Sequence, residues 1–209
     1  MRGAVRVDCA GAGWAMPVAA LLLAAMLPAQ AQTPKLKIET KHGSPVEERK
    51  KQQMERLAAQ YDLKKFTITR HIVIEDGVRP HSAPVLTLNP RFLDNDDLAL
   101  ETYIHEQGHW LLMEQRYRQH MHALYDNLRL AFRGLPTDYP RGSGDERDTY
   151  LHLAVILLEW QGMEEVVGAE RARQGMELMK SDHYTAIYPA VLEHRAELEG
   201  ILRRYGIRW

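Results

Sequence analysis

The spacing of apolar positions along this chain changes character several times, and each change marks an element. Residues 18–27 form one uninterrupted apolar run, whereas residues 32–43 are polar, show no hydrophobic period and predict a leader or a first short strand. Residues 45–61 predict a charged helix, because Ser44 can cap its first amides and Pro45 suits its first position. The stretch 66–74, FTITRHIVI, is rich in β-branched residues and predicts a strand, broken by Gly77 and Pro80. Residues 85–89 predict a second strand. Bracketing by Pro84 and Pro90 favours a sheet edge for it.

Helices dominate the second half. One is expected to begin near Asp94 to Asp96, which supply a cap and first-turn acidity. No proline or glycine occurs between Trp110 and Phe132, so the pattern fits both a continuous helix and a kink at 115–120. Residues 134–144 carry three glycines and two prolines and predict a loop, after which Asp145 to Asp148 open another helix. With Leu151, Leu153 to Leu158 and Trp160, that helix is apolar nearly all round and should be buried. Pro189 interrupts its end, and 191–205 predict a terminal amphipathic helix stopped by Gly206. Neither an internal repeat nor a low-complexity segment is present.

The chemistry concentrates at His105-Glu106-Gln107-Gly108-His109, which fits H-E-x-x-H. Residues four apart on a helix lie on one face about 6 Å apart, so both imidazoles can reach one zinc ion while Glu106 projects beside it. A water polarised there loses its proton near neutral pH, and the adjacent carboxylate can take that proton. With ten histidines in the chain the five letters alone are suggestive, and the flanks add weight: Thr102-Tyr103-Ile104 precede them and Trp110-Leu111-Leu112 follow, with no charge but Glu106 between Thr102 and Met113. In motif and flanks together the chain resembles the zincin metallopeptidases. Metzincins are excluded, since Leu112 and Gln115 stand where their glycine and third histidine would be.

The resemblance then implies a third ligand on a later helix, as in gluzincins, and Glu159 is the conspicuous candidate. It lies in the apolar helix, where a carboxylate is costly unless paired, protonated or bound to metal. A salt bridge to a buried arginine, or ligation by Glu164 or Glu165 instead, are the competing assignments. Met163 stands where many gluzincins carry an aspartate supporting the first histidine, which leaves Asp148 and Glu164 as replacements for that support. His152 shares a helical face with Glu159 but lies about 10 Å along the axis, too far to share its metal; it either lines the cleft or is a hydrogen-bonded core residue. The oxyanion donor that zincins place outside the motif is expected in Asp182-His183-Tyr184, His183 first and Tyr184 second. The strand at 85–89 is either a platform for an extended peptide, as the resemblance implies, or an ordinary edge. His120 and His122, two apart, are expected to be solvated.

The ends and the charge narrow the setting. Arg2 and Arg6 precede the apolar run and Ala29-Gln30-Ala31 follows it, which predicts a signal peptide over 1–31, with Met16 as an alternative start and an uncleaved anchor as the competing reading. Cys9, the only cysteine, lies inside that segment, so thiolate catalysis and cysteine zinc sites are excluded. Without residues 1–31 the chain has 25 basic and 27 acidic side chains (27 minus two, 28 minus one), a balance that gives no reason to expect nucleic acid. The expectation is an α+β, zincin-like single domain over 32–209, with a small sheet, an active-site helix and a buried glutamate helix. It would be exported to the periplasm or exterior, without stable membrane insertion, and bind one Zn²⁺ through His105, His109 and Glu159. It would hydrolyse a peptide or protein substrate with Glu106 as base. A zinc-holding scaffold that binds a partner, and hydrolysis of a non-peptide amide or ester, are the alternatives.

Overall fold

The computed structural model describes Met1 and residues 35–209; the expected signal peptide, Met1 apart, falls outside the described residues. The fold is α+β. Three short strands, β1 (Lys37–Thr40), β2 (His71–Ile74) and β3 (Leu86–Leu88), are all parallel and lie in that order. Eight helices make up most of the described remainder: α1 (Pro45–Gln60), α2 (Asp96–Met113), α3 (Gln115–Arg118), α4 (Met121–Ala131), α5 (Glu146–Val167), α6 (Ala169–Met179), α7 (Ile187–Glu193) and α8 (Arg195–Arg204).

Helix α1 carries the chain from β1 to β2. It starts where the sequence places it, with Ser44 accepting from the Glu47 amide and Glu47 accepting in return from the Ser44 amide. The fully buried Glu47 also accepts from the amides of His42 and Asp76, tying the ends of β1 and β2 to the start of α1. Met54 and Leu57 bury its inner face.

The strand expected over 66–74 is shorter than its β-branched composition suggests. Residues Lys64–Phe66 form a 3-10 turn, and β2 begins only at His71. The reason lies in the motif helix. Gln107 Oε1 accepts from the amides of Ile68 and Thr69, and its Nε2 donates to the Thr69 carbonyl, so a side chain satisfies the backbone that a neighbouring strand would otherwise pair. Gln107 is fully buried, and its removal strands those groups. Replacing it by Leu should destabilise the fold by about 3 kcal/mol, the low end of roughly 1–3 kcal/mol for each of three groups, because Ile68 and Thr69 are only half-buried. Urea unfolding checks this, and a loss below about 1 kcal/mol would show that water substitutes for the amide.

Strand β3 lies at the sheet edge, as its prolines predict, yet that edge is not open to an extended peptide. Leu86 and Leu88 pair with β2, which turns the Thr87 N–H and C=O outward, and both are bonded to His81 at 2.8 and 3.0 Å. The chain's own return segment occupies the place proposed for substrate.

Helix α2 is capped by Asn95, which accepts from the Leu98 amide, and it ends at Met113. The path after it kinks into α3 and α4 at 114–120, resolving the ambiguity the glycine-free sequence left. Helix α5, capped by Asp145, is the buried one: Leu153 to Leu158 have no exposed surface. It does not run toward Pro189. Gly168 ends it at φ 90°, a left-handed backbone that an L side chain resists, and α6 begins immediately. Pro189 sits instead in the first turn of α7, where its missing N–H would be unpaired in any case. Helices α2 and α5 pack so closely that a Cβ on Gly162 would lie 2.8 Å from Ile104 Cγ2. That contact brings the histidine face of α2 onto α5.

Candidate metal centre

Three imidazoles meet between these two helices. His105 and His109 of α2 and His152 of α5 each offer a ring nitrogen, and the three nitrogens lie within 4.8 Å of one another, close enough to hold one metal ion. Ring centroids are 5.1 Å apart for His105 and His109, 5.4 Å for His105 and His152, and 4.7 Å for His109 and His152. His105 and His152 are buried, and His109 is half-buried.

Hydrogen bonds orient the rings. His105 Nδ1 lies 2.6 Å from Glu159 Oε2, so this ring donates to the carboxylate and leaves Nε2 with a free lone pair. His152 Nδ1 lies 2.8 Å from the Asp148 carbonyl and 3.4 Å from its carboxylate, which frees its Nε2 in the same way. His105 Nε2 and His109 Nε2 are 3.3 Å apart. Burial holds the His105 and His109 imidazoles well below the usual histidine range, with the charge of His152 adding to it, so both stay neutral donors.

Two expectations about α5 change places. Glu159 is not among the converging donors: it supports His105 from behind, and Tyr188 donates to it at 3.1 Å. His152, judged too far along the axis, is the third converging histidine. His152 and Glu159 are still two turns apart on α5, but both reach His105: Glu159 holds its Nδ1, and the His152 ring lies 5.4 Å from its ring. The support expected from Asp148 or Glu164 divides accordingly. Asp148 backs His152, whereas Glu164 forms a bidentate ion pair with Arg195 at 2.5 and 2.7 Å. Glu165 pairs with Lys65.

A cavity of about 170 Å³ adjoins the cluster. Glu106, only 5% exposed, lines it, and burial followed by the charge of Asp148 pushes its carboxyl up to about 8. His183 and Tyr184 line it too, as expected of residues near the reacting groups. Asp182 accepts from His183 Nδ1 at 2.6 Å and from Arg91 at 2.5 and 3.1 Å, an aligned Arg–Asp–His series. Tyr184 sits at φ 51°, a strained backbone held by the two amides that follow it: Thr185 donates to the Pro140 carbonyl and Ala186 to that of Arg141. Its ring lies 4.5 Å from that of His152. Burial pushes the Tyr184 phenol far up, so it remains a donor at any working pH.

The floor of the cavity was not anticipated. Glu101 lies one helical turn before His105 and is 1% exposed. Burial raises its carboxyl well above the usual range, and Glu159 adds to this. Burial likewise raises Glu159, to about 8, against the pull of its hydrogen bonds. The opposite wall is held by α1, whose buried Lys50 donates to the Arg91 carbonyl and whose Gln53 donates to those of Phe92 and Leu93. As expected, His122 points into solvent, 83% exposed, and it takes no part in the site.

No protein-family model matches this chain, nor does any curated protein or solved structure. Among the described residues no helix is long and apolar enough to cross a membrane.

Proposed function

We propose that this protein is an exported zinc-dependent peptidase with a zincin-like site, in which His105, His109 and His152 hold the ion and Glu106 is the general base. The observation that carries the reading is that three imidazoles converge closely enough to hold one ion, and that one of them, His105, lines a cavity together with the buried Glu106 carboxyl next to it in sequence. The donor set fits zinc. Two nitrogens on a tetrahedral ion at roughly 2.0–2.1 Å lie about 3.3–3.4 Å apart, and His105 Nε2 and His109 Nε2 are separated by 3.3 Å. Neutral imidazoles braced by Glu159 and by Asp148 are the donors such an ion takes.

A zinc ion there would supply Lewis acidity toward a substrate carbonyl and bring the pKa of water toward neutrality. The chain's own residues do the rest. Glu106, raised to about 8 by burial in the metal-free site and lowered again by the charge of a bound ion, would accept a proton and hand it to a leaving amine near neutral pH. The Tyr184 hydroxyl provides a donor on the cavity wall for a developing negative oxygen, and the His183 ring, fixed by Asp182 and Arg91, would add a second only in its protonated form, which Asp182 favours and burial opposes. A pure scaffold has no use for a buried base at position 106, which favours the enzyme reading over the binding-module one.

The full-length protein, loaded with zinc, should cleave members of a diverse peptide library, lose that activity to a chelator and recover it on adding zinc back. Stoichiometric zinc with no cleavage of any peptide would leave the scaffold reading, and cleavage confined to non-peptide amides or esters would leave the third.

A further inference from the structure

We infer that the cavity beside the metal centre contains a recognition site for a primary ammonium group, with Glu101 as its anionic partner. This rests on the peptidase reading only for the source of the ligand. No amide, hydroxyl, ring or cationic donor of the protein reaches either buried oxygen of Glu101, whose one polar neighbour is another carboxyl, Glu159, although the residue lines a cavity large enough for several water molecules. Buried carboxyl groups are almost always partnered, because desolvating one without compensation is costly. This one is built in, not tolerated. A Cβ on Gly175 of α6 would lie 2.4 Å from Glu101 Oε2, so α6 has a glycine where any side chain would displace the carboxyl.

The neighbours identify the missing partner. Glu159 and Glu106 line the same cavity, so three carboxyl groups face it. The guanidinium groups on its wall do not answer them: Arg91 is committed to Asp182, and Arg79 lies over the Tyr139 ring at 4.2 Å. Glu159 has His105 and Tyr188 as donors and offers Glu101 only a second carboxyl. Glu101 is therefore the carboxyl left for an incoming cation. An ammonium group, with three donors on a compact centre, suits a pocket of this size. On a peptide that group is either the free N-terminus or a lysine side chain.

Binding to the zinc-loaded, full-length Glu106→Gln protein, read by calorimetry, tests this without needing turnover. The probes are two pairs of short peptides: one with a free against an acetylated N-terminus, the other with lysine against norleucine in an otherwise neutral, acetylated sequence. One pair should show at least about tenfold tighter binding of the ammonium member, as a charge-assisted hydrogen bond predicts, and which pair shows it names the source. Adding Glu101→Gln should reduce that ratio to near one, and Gly175→Ala should do the same by displacing the carboxyl. Equal affinity within both pairs, no binding of any probe, or a ratio that survives in both variants would each overturn the assignment. Ammonium-selective binding in a protein whose wild type hydrolyses nothing would sink the peptidase reading and leave this one standing.

Discussion

Glu106→Gln is expected to lower peptide turnover by roughly 10²- to 10⁴-fold, the usual contribution of a general base, while zinc stoichiometry and peptide affinity stay near wild type. Glu106 faces the cavity and is not among the three converging donors, so the change removes a proton acceptor and leaves the imidazoles in place. Glutamine matches glutamate in shape. It also removes a buried acid that the fold does not welcome charged. The folded-state pKa of Glu106 is raised from 4.5 to about 8, so its stabilising effect is complete below about pH 4.5 and is lost as pH rises toward 8. Stripped of metal, the Glu106→Gln protein should therefore unfold at equal or higher urea concentration than stripped wild type at pH 8, with the advantage vanishing near pH 4. Stability and activity moving in opposite directions separate a lost base from a damaged fold. Unchanged turnover in the variant would end the peptidase mechanism.

How much of this was legible in the sequence follows from how local each signal is. The capping box at Ser44 and Glu47, the capped start of α2 and the burial of α5 depend on neighbours along one helix, and the residue pattern carries them. The histidine pair on α2 is local in the same sense. What failed were statements about one element made without its partner. Ile68 and Thr69 have strand composition, but their hydrogen bonds go to Gln107 on another element, which no period reveals. The edge position predicted for β3 is real in the strand order, but of its two readings the peptide platform meets an obstacle, because His81, earlier in the chain, already pairs with Thr87. Glu101 escaped notice for a related reason. A single glutamate in a helix is unremarkable until α6 closes over it with Gly175.

The α5 assignment shows the same limit most sharply, and it yields the second large effect. On sequence alone a glutamate in an apolar helix calls for a metal, and a histidine seven residues earlier lies about 10 Å away along the axis. Across the helix pair, His105 presents Nδ1 to Glu159, and His152 joins His105 and His109 in the converging group, so on the proposed reading the carboxyl is the brace and His152 the third donor. The two assignments differ in what each mutation costs. Removing one of three protein donors should weaken zinc affinity by well over a hundredfold, whereas losses of about 10- to 100-fold are typical when only the group behind a ligand is changed. Competition with a chelator of known strength should therefore rank His152→Ala far below Glu159→Gln, and Glu159→Gln moderately below wild type. Glu159→Gln has a further signature. A glutamine at 159 can still accept from His105 Nδ1 but no longer carries charge, so part of the affinity should survive in it, while nothing at position 152 replaces a ring nitrogen in the alanine variant. The reverse order, with His152→Ala binding zinc as tightly as wild type and Glu159→Gln losing it, would restore the glutamate as ligand and return His152 to the core.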